Sequence, residues 1–252
     1  MNKQEALFKY VLRLGDNSVV LAQRLCEWTG VGPFLEEDLA LTNISLDIFG
    51  QGRNLLEYAG RIEGKGRTED TLAFHRNDRE YFNFLICEQS NGDYAKTIMR
   101  QALIDCFDFL YYSELLKSSD ETIRAIAEKS IKEITYHKRH SFSWVKRFGG
   151  GTDESKERAQ NALNELWRFT GEFFEKDEVD ELMIKERIAP DVNKLKDQWE
   201  KEINNLLSEA GLKIPTEVFM QMGGRKGIHT EQLGYLLNEM QSLPRMYPEA
   251  KW

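Results

Sequence analysis

Proline interrupts this chain only at Pro33, Pro190, Pro215, Pro244 and Pro248. A proline inside a helix costs about 3 kcal/mol or more, so these placements leave long stretches without the strongest helix breaker. In those stretches apolar residues recur at steps of three and four, and alternation of period two is hard to find. The pattern predicts an all-α protein.

The chain has 252 residues, 41% hydrophobic and 30% charged, which suits a soluble globular protein and argues against disorder. No run approaches the roughly 18 to 20 uncharged apolar residues that a membrane span requires. The start, MNKQEALFKYVLRL, is amphipathic and lacks a signal-peptide core, so a cytoplasmic location with no membrane partner is expected. Thirty-four basic against forty-two acidic side chains give a net charge of −8, a sign that opposes general nucleic-acid binding. Cys26, Cys87 and Cys106 have no CxxC spacing and are expected as reduced thiols, not as a zinc site.

Four long helices are predicted. The first covers about 4–28, with Phe8, Leu12, Val19, Ala22 and Cys26 on one face, and stops at Gly30-Val31-Gly32-Pro33. The second covers about 34–62, with Leu35, Leu39, Leu46 and Phe49 inward. A connection of nearly thirty residues follows. The third covers about 94–117, with Ile98, Ala102, Phe109 and Tyr112 inward. The fourth is N-capped by Asp120, carries Ile123, Ile126, Ser130, Ile134, Ser141 and Trp144 inward, and ends at Gly149-Gly150-Gly151. Two tight hairpins joined by one long connection predict a ferritin-like four-helix bundle over about 4–148. Further helices at about 153–174, 190–210 and 230–243 predict a helical extension over 153–252, so that 1–252 forms a single domain.

Ferritin-like di-iron proteins place a carboxylate on each of two helices and Glu-x-x-His on each of the other two. Here Asp16 and Asp47 flank the first turn about equally, and Asp105 and Glu133 flank the second. At 1.5 Å per residue each lies roughly 20 Å from its turn, near mid-bundle. Asp105 falls on its apolar stripe and needs a partner, whereas Asp16, Asp47 and Glu133 lie nearer the stripe edges. A metal site and a set of interior salt bridges are both open on spacing alone. Histidine is missing where the pattern wants it: Gly50 follows Asp47 and Tyr136 follows Glu133. Glycine has no side chain, and a phenol with pKa near 10 is a poor ligand for ferrous iron. His137 and His140 share a face with Glu133, while His75 reads as a solvated loop residue. The segment Met222-Gly223-Gly224-Arg225-Lys226-Gly227 reads as a flexible linker or as an anion contact, since no phosphate-binding motif is met.

Six stretches, in order along the whole chain, resemble the family of C-type subunits of the bacterial multicomponent phenylacetyl-CoA 1,2-epoxidase. They are Leu12-Arg13-Leu14-Gly15-Asp16-Asn17, Asp47-Ile48-Phe49-Gly50-Gln51-Gly52-Arg53-Asn54 and Asp70-Thr71-Leu72-Ala73-Phe74, then Lys132-Glu133-Ile134-Thr135-Tyr136-His137, Leu166-Trp167-Arg168-Phe169-Thr170 and Gly227-Ile228-His229-Thr230-Glu231-Gln232-Leu233-Gly234 with Glu239-Met240-Gln241. The resemblance implies a ferritin-like subunit without a working di-iron centre or any cofactor of its own. It implies pairing with the di-iron A-type catalytic subunit, together with the small B-type subunit and a reductase carrying FAD and a 2Fe-2S cluster, the whole using O2 and NADPH. No catalytic residue is then expected. Asp16, Asp47, Asp105, Glu133 and His137 would remain as a vestigial polar cluster, pairing with each other or with Gln51 and Arg53, and the ligand positions would be lost at Gly50 and Tyr136. Trp167, Phe173, Phe174 and Trp199 would either meet the partner or seal the added helices. The alternatives are an independent di-metal oxidase or iron-binding protein, and a CoA-ester binder using the Gly223 to Gly227 loop.

Overall fold

The computed structural model describes residues 1–250. The chain is all-α, and no strand occurs among the described residues. In order, the helices are α1 (Lys3–Cys26), α2 (Leu35–Glu63), α3 (Glu69–Phe74), α4 (Leu85–Glu88), α5 (Tyr94–Leu115), α6 (Glu121–Gly150), α7 (Asp153–Leu166), α8 (Glu178–Lys185), α9 (Lys196–Glu209) and α10 (Glu231–Met246). Short 3-10 turns include Asp78–Glu80, Trp167–Phe174 and Gly224–Lys226. No helix is long and apolar enough to cross a membrane among the described residues. Two compact units divide the chain. One comprises Met1–Ser90 and the chain from Gly223 onward; the other is Asn91–Met222.

In the first unit α1 and α2 run antiparallel, because their paired positions step in opposite directions. Gly15 faces Leu56 and Gly52 faces Val19, while Cys26 meets Ser45 and Thr29 meets Thr42, each at 3.2 Å. Asn2 caps α1 by accepting from Glu5 N, and Glu5 returns the bond in a capping box. Leu12, Val19 and Ala22 are buried as their stripe predicts, while Phe8 and Cys26 are half-buried. On α2 the expected inward stripe is wrong. Leu35, Leu39 and Leu46 are 70%, 53% and 59% exposed, and the opposite face, with Leu41, Ile44, Ile48 and Leu55, is buried. Small residues decide between the two apolar faces. Ser45 and Gly52 lie beside the buried set, and a Cβ on Gly52 would come within 2.9 Å of Val19 Cγ2, so only this face lets α1 approach closely. The long connection holds α3, a 3-10 turn and α4, and α10 packs against α3, α4 and α1.

In the second unit α5 and α6 are also antiparallel: Tyr94 meets Phe148, Asp105 meets Ser141 and Phe109 meets Lys138. Asp120 caps α6 through Ile123 N at 2.9 Å, as its sequence position predicts. The triple glycine ends α6 as expected, the last helical residue being Gly150 and the C-cap Gly151. Gly149 also lets α6 touch the end of α9, where a Cβ would overlap the Ala210 carbonyl. The helix expected over 153–174 changes to 3-10 geometry at Trp167. There Phe173 stacks on Phe107 at 4.7 Å, and Trp199 meets Trp167, Phe173 and Phe174. Trp199 Nε1 donates to Leu103 O at 3.1 Å, and Phe173 and Trp199 are 1% and 2% exposed. Phe173 and Trp199 seal α9 and the 3-10 segment onto α5, while Trp167 and Phe174 are half-buried.

Candidate functional site

The polar centre of the first unit begins with Asp16, fully buried midway along α1. Its expected pairing, with the other cluster residues or with Gln51 and Arg53, is corrected. The partner is Arg76, sixty residues on, whose Nη1 and Nη2 donate to the two carboxylate oxygens. Phe82 N adds a third donor at 2.9 Å. Burial pushes the Asp16 carboxyl up, and the Arg76 charge and N–H groups act against that push. Arg76 also donates to Leu72 O and, at 2.7 Å, to Glu80 O, and its guanidinium lies 4.1 Å from the Tyr81 ring centroid. The Tyr81 hydroxyl donates to Ala73 O, and burial pushes its pKa up to about 12. Gln241 Nε2, on α10, closes the group against Arg76 O at 3.0 Å and Tyr81 Oη at 3.1 Å.

Glu88, also fully buried, gathers a second group. One carboxylate oxygen accepts from Thr230 N at 2.7 Å and Thr230 Oγ1 at 2.8 Å. The other faces Asn83 Nδ2 at 2.9 Å and His229 Nδ1 at 2.7 Å. His229 Nε2 lies 2.8 Å from Tyr81 O. Both ring nitrogens therefore face acceptors, and only the imidazolium donates to both. Burial pulls the His229 pKa down, but the bonds to Glu88 and Tyr81 O and the charges of Glu88 and Asp16 raise it overall. Arg24 ties the group to α1, donating to Glu88 O at 2.9 Å and Gln232 O at 2.7 Å. The segment before His229 is a packed turn, which corrects the linker reading. Gly227 has φ 72°, and a Cβ on Gly224 would overlap the Asn83 carbonyl.

In the second unit Asp105 is buried, as its stripe position predicts, and finds its partners in Ser141 Oγ at 2.7 Å and Gln101 Nε2 at 3.3 Å. Burial lifts its carboxyl well above the usual range, with the Asp108 charge adding to the shift, which favours the neutral acid. Asp108 itself is raised by burial to about 7. Lys138 pairs with Glu202, its ammonium 4.2 Å from the Phe109 ring centroid.

Of the other residues singled out by spacing, Asp47 and Glu133 are half-buried and His137 is buried. Tyr136 is 40% exposed, its ring under Arg139, and a Cβ at Gly50 would meet no atom within 4 Å. Gln51 donates to Ser18 Oγ at 3.0 Å, and Arg53 reaches Glu69 at 3.4 Å on the surface. His75 is exposed, as a solvated loop residue should be. No group of three or more His, Cys, Asp or Glu placed to hold a metal ion occurs among the described residues. Sequence reasoning missed Arg76, Glu88, His229 and Gln241 as site residues. The stretches carrying the resemblance contained His229 and Gln241, a signal of importance without a role.

The donor inventory limits the chemistry of the first unit. Asp16 accepts three N–H bonds, Glu88 is met by four partners, and both ring nitrogens of His229 are engaged, by Glu88 and by Tyr81 O. These groups tie α1, the connection and α10 together, and none of the three side chains faces open space as a base or nucleophile.

An all-α protein built on two antiparallel pairs of long helices, with its buried carboxylates committed to internal partners, is of the class to which ferritin-like subunits belong. The chain belongs to the phenylacetic acid catabolic protein family, whose model matches residues 1–252. A curated relative, the C subunit of the 1,2-phenylacetyl-CoA epoxidase of Escherichia coli (strain K12), is 49% identical over 246 residues, covering 98% of this chain and 99% of that protein.

Proposed function

We propose that this chain is the C-type subunit of a multicomponent phenylacetyl-CoA epoxidase, a non-catalytic partner that supports the di-iron catalytic subunit. The end-to-end match to the relative of that name carries the assignment to the complex. The non-catalytic role is supported by the polar interior. Asp16, which spacing put forward as a metal carboxylate, is spent on Arg76 and Phe82 N, Tyr136 is turned toward solvent, and Gly50 offers no side chain. Phenylacetyl-CoA, O2 and NADPH would then be handled by the catalytic subunit and by a reductase with FAD and a 2Fe-2S cluster, with the small subunit completing the assembly. This chain would contribute a helical scaffold.

The test is metal content and phenylacetyl-CoA turnover, for this chain alone and with the catalytic subunit, the small subunit and the reductase. The chain alone should be inert and free of stoichiometric iron, and its omission should abolish assembly or turnover. About two bound irons with oxygen uptake by the lone chain, as a di-iron bundle would give, would overturn the non-catalytic reading in favour of an independent oxidase.

A further inference from the structure

The second unit carries a pocket of about 460 Å³ where the end of α5, the end of α8 and the start of α9 come together. A volume of this order is what small-molecule sites have. In its apolar lining Ile188 and Leu195 are buried, and Ile184 and Pro190 are half-buried. Its charged lining is Glu114, Lys117, Arg187, Asp191 and Lys194. Three of these are already matched. Lys117 pairs with Glu114 at 2.7 Å, and Asp191 pairs with Lys176 at 3.1 Å. Arg187 has no side-chain hydrogen bond or ion pair among the described residues, and Lys194 acts on Asp191 through its charge without an ion pair. The pocket therefore holds two cations without a bonded partner, on a chain whose net charge is −8.

The backbone singles out Arg187 a second time. α8 ends in a Schellman motif, in which Ile188 N donates to Met183 O at 2.9 Å and Arg187 N donates to Ile184 O at 3.0 Å. The residue that this motif puts in the left-handed region is Arg187, with φ 58°, where glycine is the usual and least strained choice. The helix dipole does not demand an arginine there, since Lys185 already gives the last turn of α8 its cation. Strain kept at one residue points to a use for its side chain. The turn is held in place from the α5–α6 corner: Ser118 Oγ donates to Ile188 O at 2.8 Å, Ser119 N to Arg187 O at 2.9 Å and Ser119 Oγ to Glu186 O at 2.8 Å. We propose that this pocket binds a small organic phosphate, a dianion held by Arg187 and Lys194 with its carbon skeleton against Ile184, Pro190 and Leu195. Charge and shape set the class. Two cations balance a phosphate monoester, the guanidinium fork matches its oxygens, and the apolar lining favours an organic ion over an inorganic one.

Titration calorimetry of the full chain in mildly alkaline buffer tests this with three probes: phenyl phosphate, inorganic phosphate and benzoate. Phenyl phosphate should bind with a Kd about 10-fold or more below that of either other probe, since inorganic phosphate lacks the apolar part and benzoate lacks the second charge. Arg187→Gly should weaken phenyl phosphate by about 10-fold or more and keep the melting temperature, because glycine suits the left-handed turn while removing the cation. A merely structural Arg187 would move the melting temperature and leave the affinity alone. No binding of phenyl phosphate by the wild type at millimolar concentration overturns the proposal. So does equal or tighter binding of either other probe, or an unchanged Kd in the folded Arg187→Gly variant. Should that variant not fold, Lys194→Ala, a change at an exposed side chain, takes its place with the same loss of affinity expected and the same unchanged Kd overturning the site.

Discussion

At the scale of single residues, His229 is the group whose state matters most, because its ring sits between a carboxylate and a carbonyl. Its pKa is raised in the folded chain, so its contribution is fully present below the unfolded value of about 6.5 and is lost as pH rises through the folded one. The stability advantage of wild type over a His229→Gln variant should therefore be largest in mildly acidic buffer and shrink on the alkaline side. Melting temperatures of both proteins across this range test it; parallel curves would show that the ring is neutral. The Asp16–Arg76 pair belongs to another class, where removing one partner leaves a buried charge and costs about 3 to 5 kcal/mol. Residues of this kind were only partly legible. Asp105 announced itself by sitting on its own helix stripe. Arg76 and His229 lie in irregular segments with no periodicity to mark them as interior, and their partners are 60 and 141 residues away.

At the scale of elements, the long helices were legible because many turns of period 3.6 accumulate in each. The connection and α8 were not, since segments of four to eight residues hold too few turns to show a period. The face of α2 failed for a different reason. Two apolar stripes compete there, and what separates them is backbone approach at Gly52, which a pattern of hydrophobic residues does not record. The same property governs Gly149. In the last turn of α6, it lies against the Ala210 carbonyl at the end of α9. Alanine is the better helix former by about 1 kcal/mol, so on propensity alone Gly149→Ala would stabilise. The contact reverses that sign. A methyl group with no room forces the backbones apart at a cost of about 1 to 3 kcal/mol, and a lower midpoint in urea denaturation is the expected result. A raised midpoint would mean that α9 moves away freely.

At the scale of the whole molecule, the first unit is discontinuous in sequence: its two helices and the connection are completed by the last residues of the chain. Gln241 is the tie most exposed to a single change. Its amide nitrogen reaches Ala73 O at 3.2 Å, Arg76 O at 3.0 Å and Tyr81 Oη at 3.1 Å, and all three lie in the connection. Gln241→Ala removes the amide that bonds all three, while Ala73 O keeps the Tyr81 hydroxyl and Arg76 O keeps Arg245 Nη2, so the loss is that of the bonds themselves, about 1 kcal/mol each. If α10 and the connection open as one cooperative piece, that loss should appear in both, because exchange of buried amides follows the free energy of the shared opening. Hydrogen exchange of the variant should then accelerate by about 10- to 100-fold over 72–88 and over 231–241 alike, the factor that each 1.4 kcal/mol per tenfold gives. The Arg76 and Glu88 groups make this coupling necessary. Arg76 holds the connection to α1 from one side while His229 and Thr230 hold Glu88 from the other, so neither segment keeps its buried charges paired without its neighbour. Acceleration confined to 231–246 would show that the connection stands on Arg76 and Asp16 alone, and that the C-terminal helix is a cover over a unit already complete.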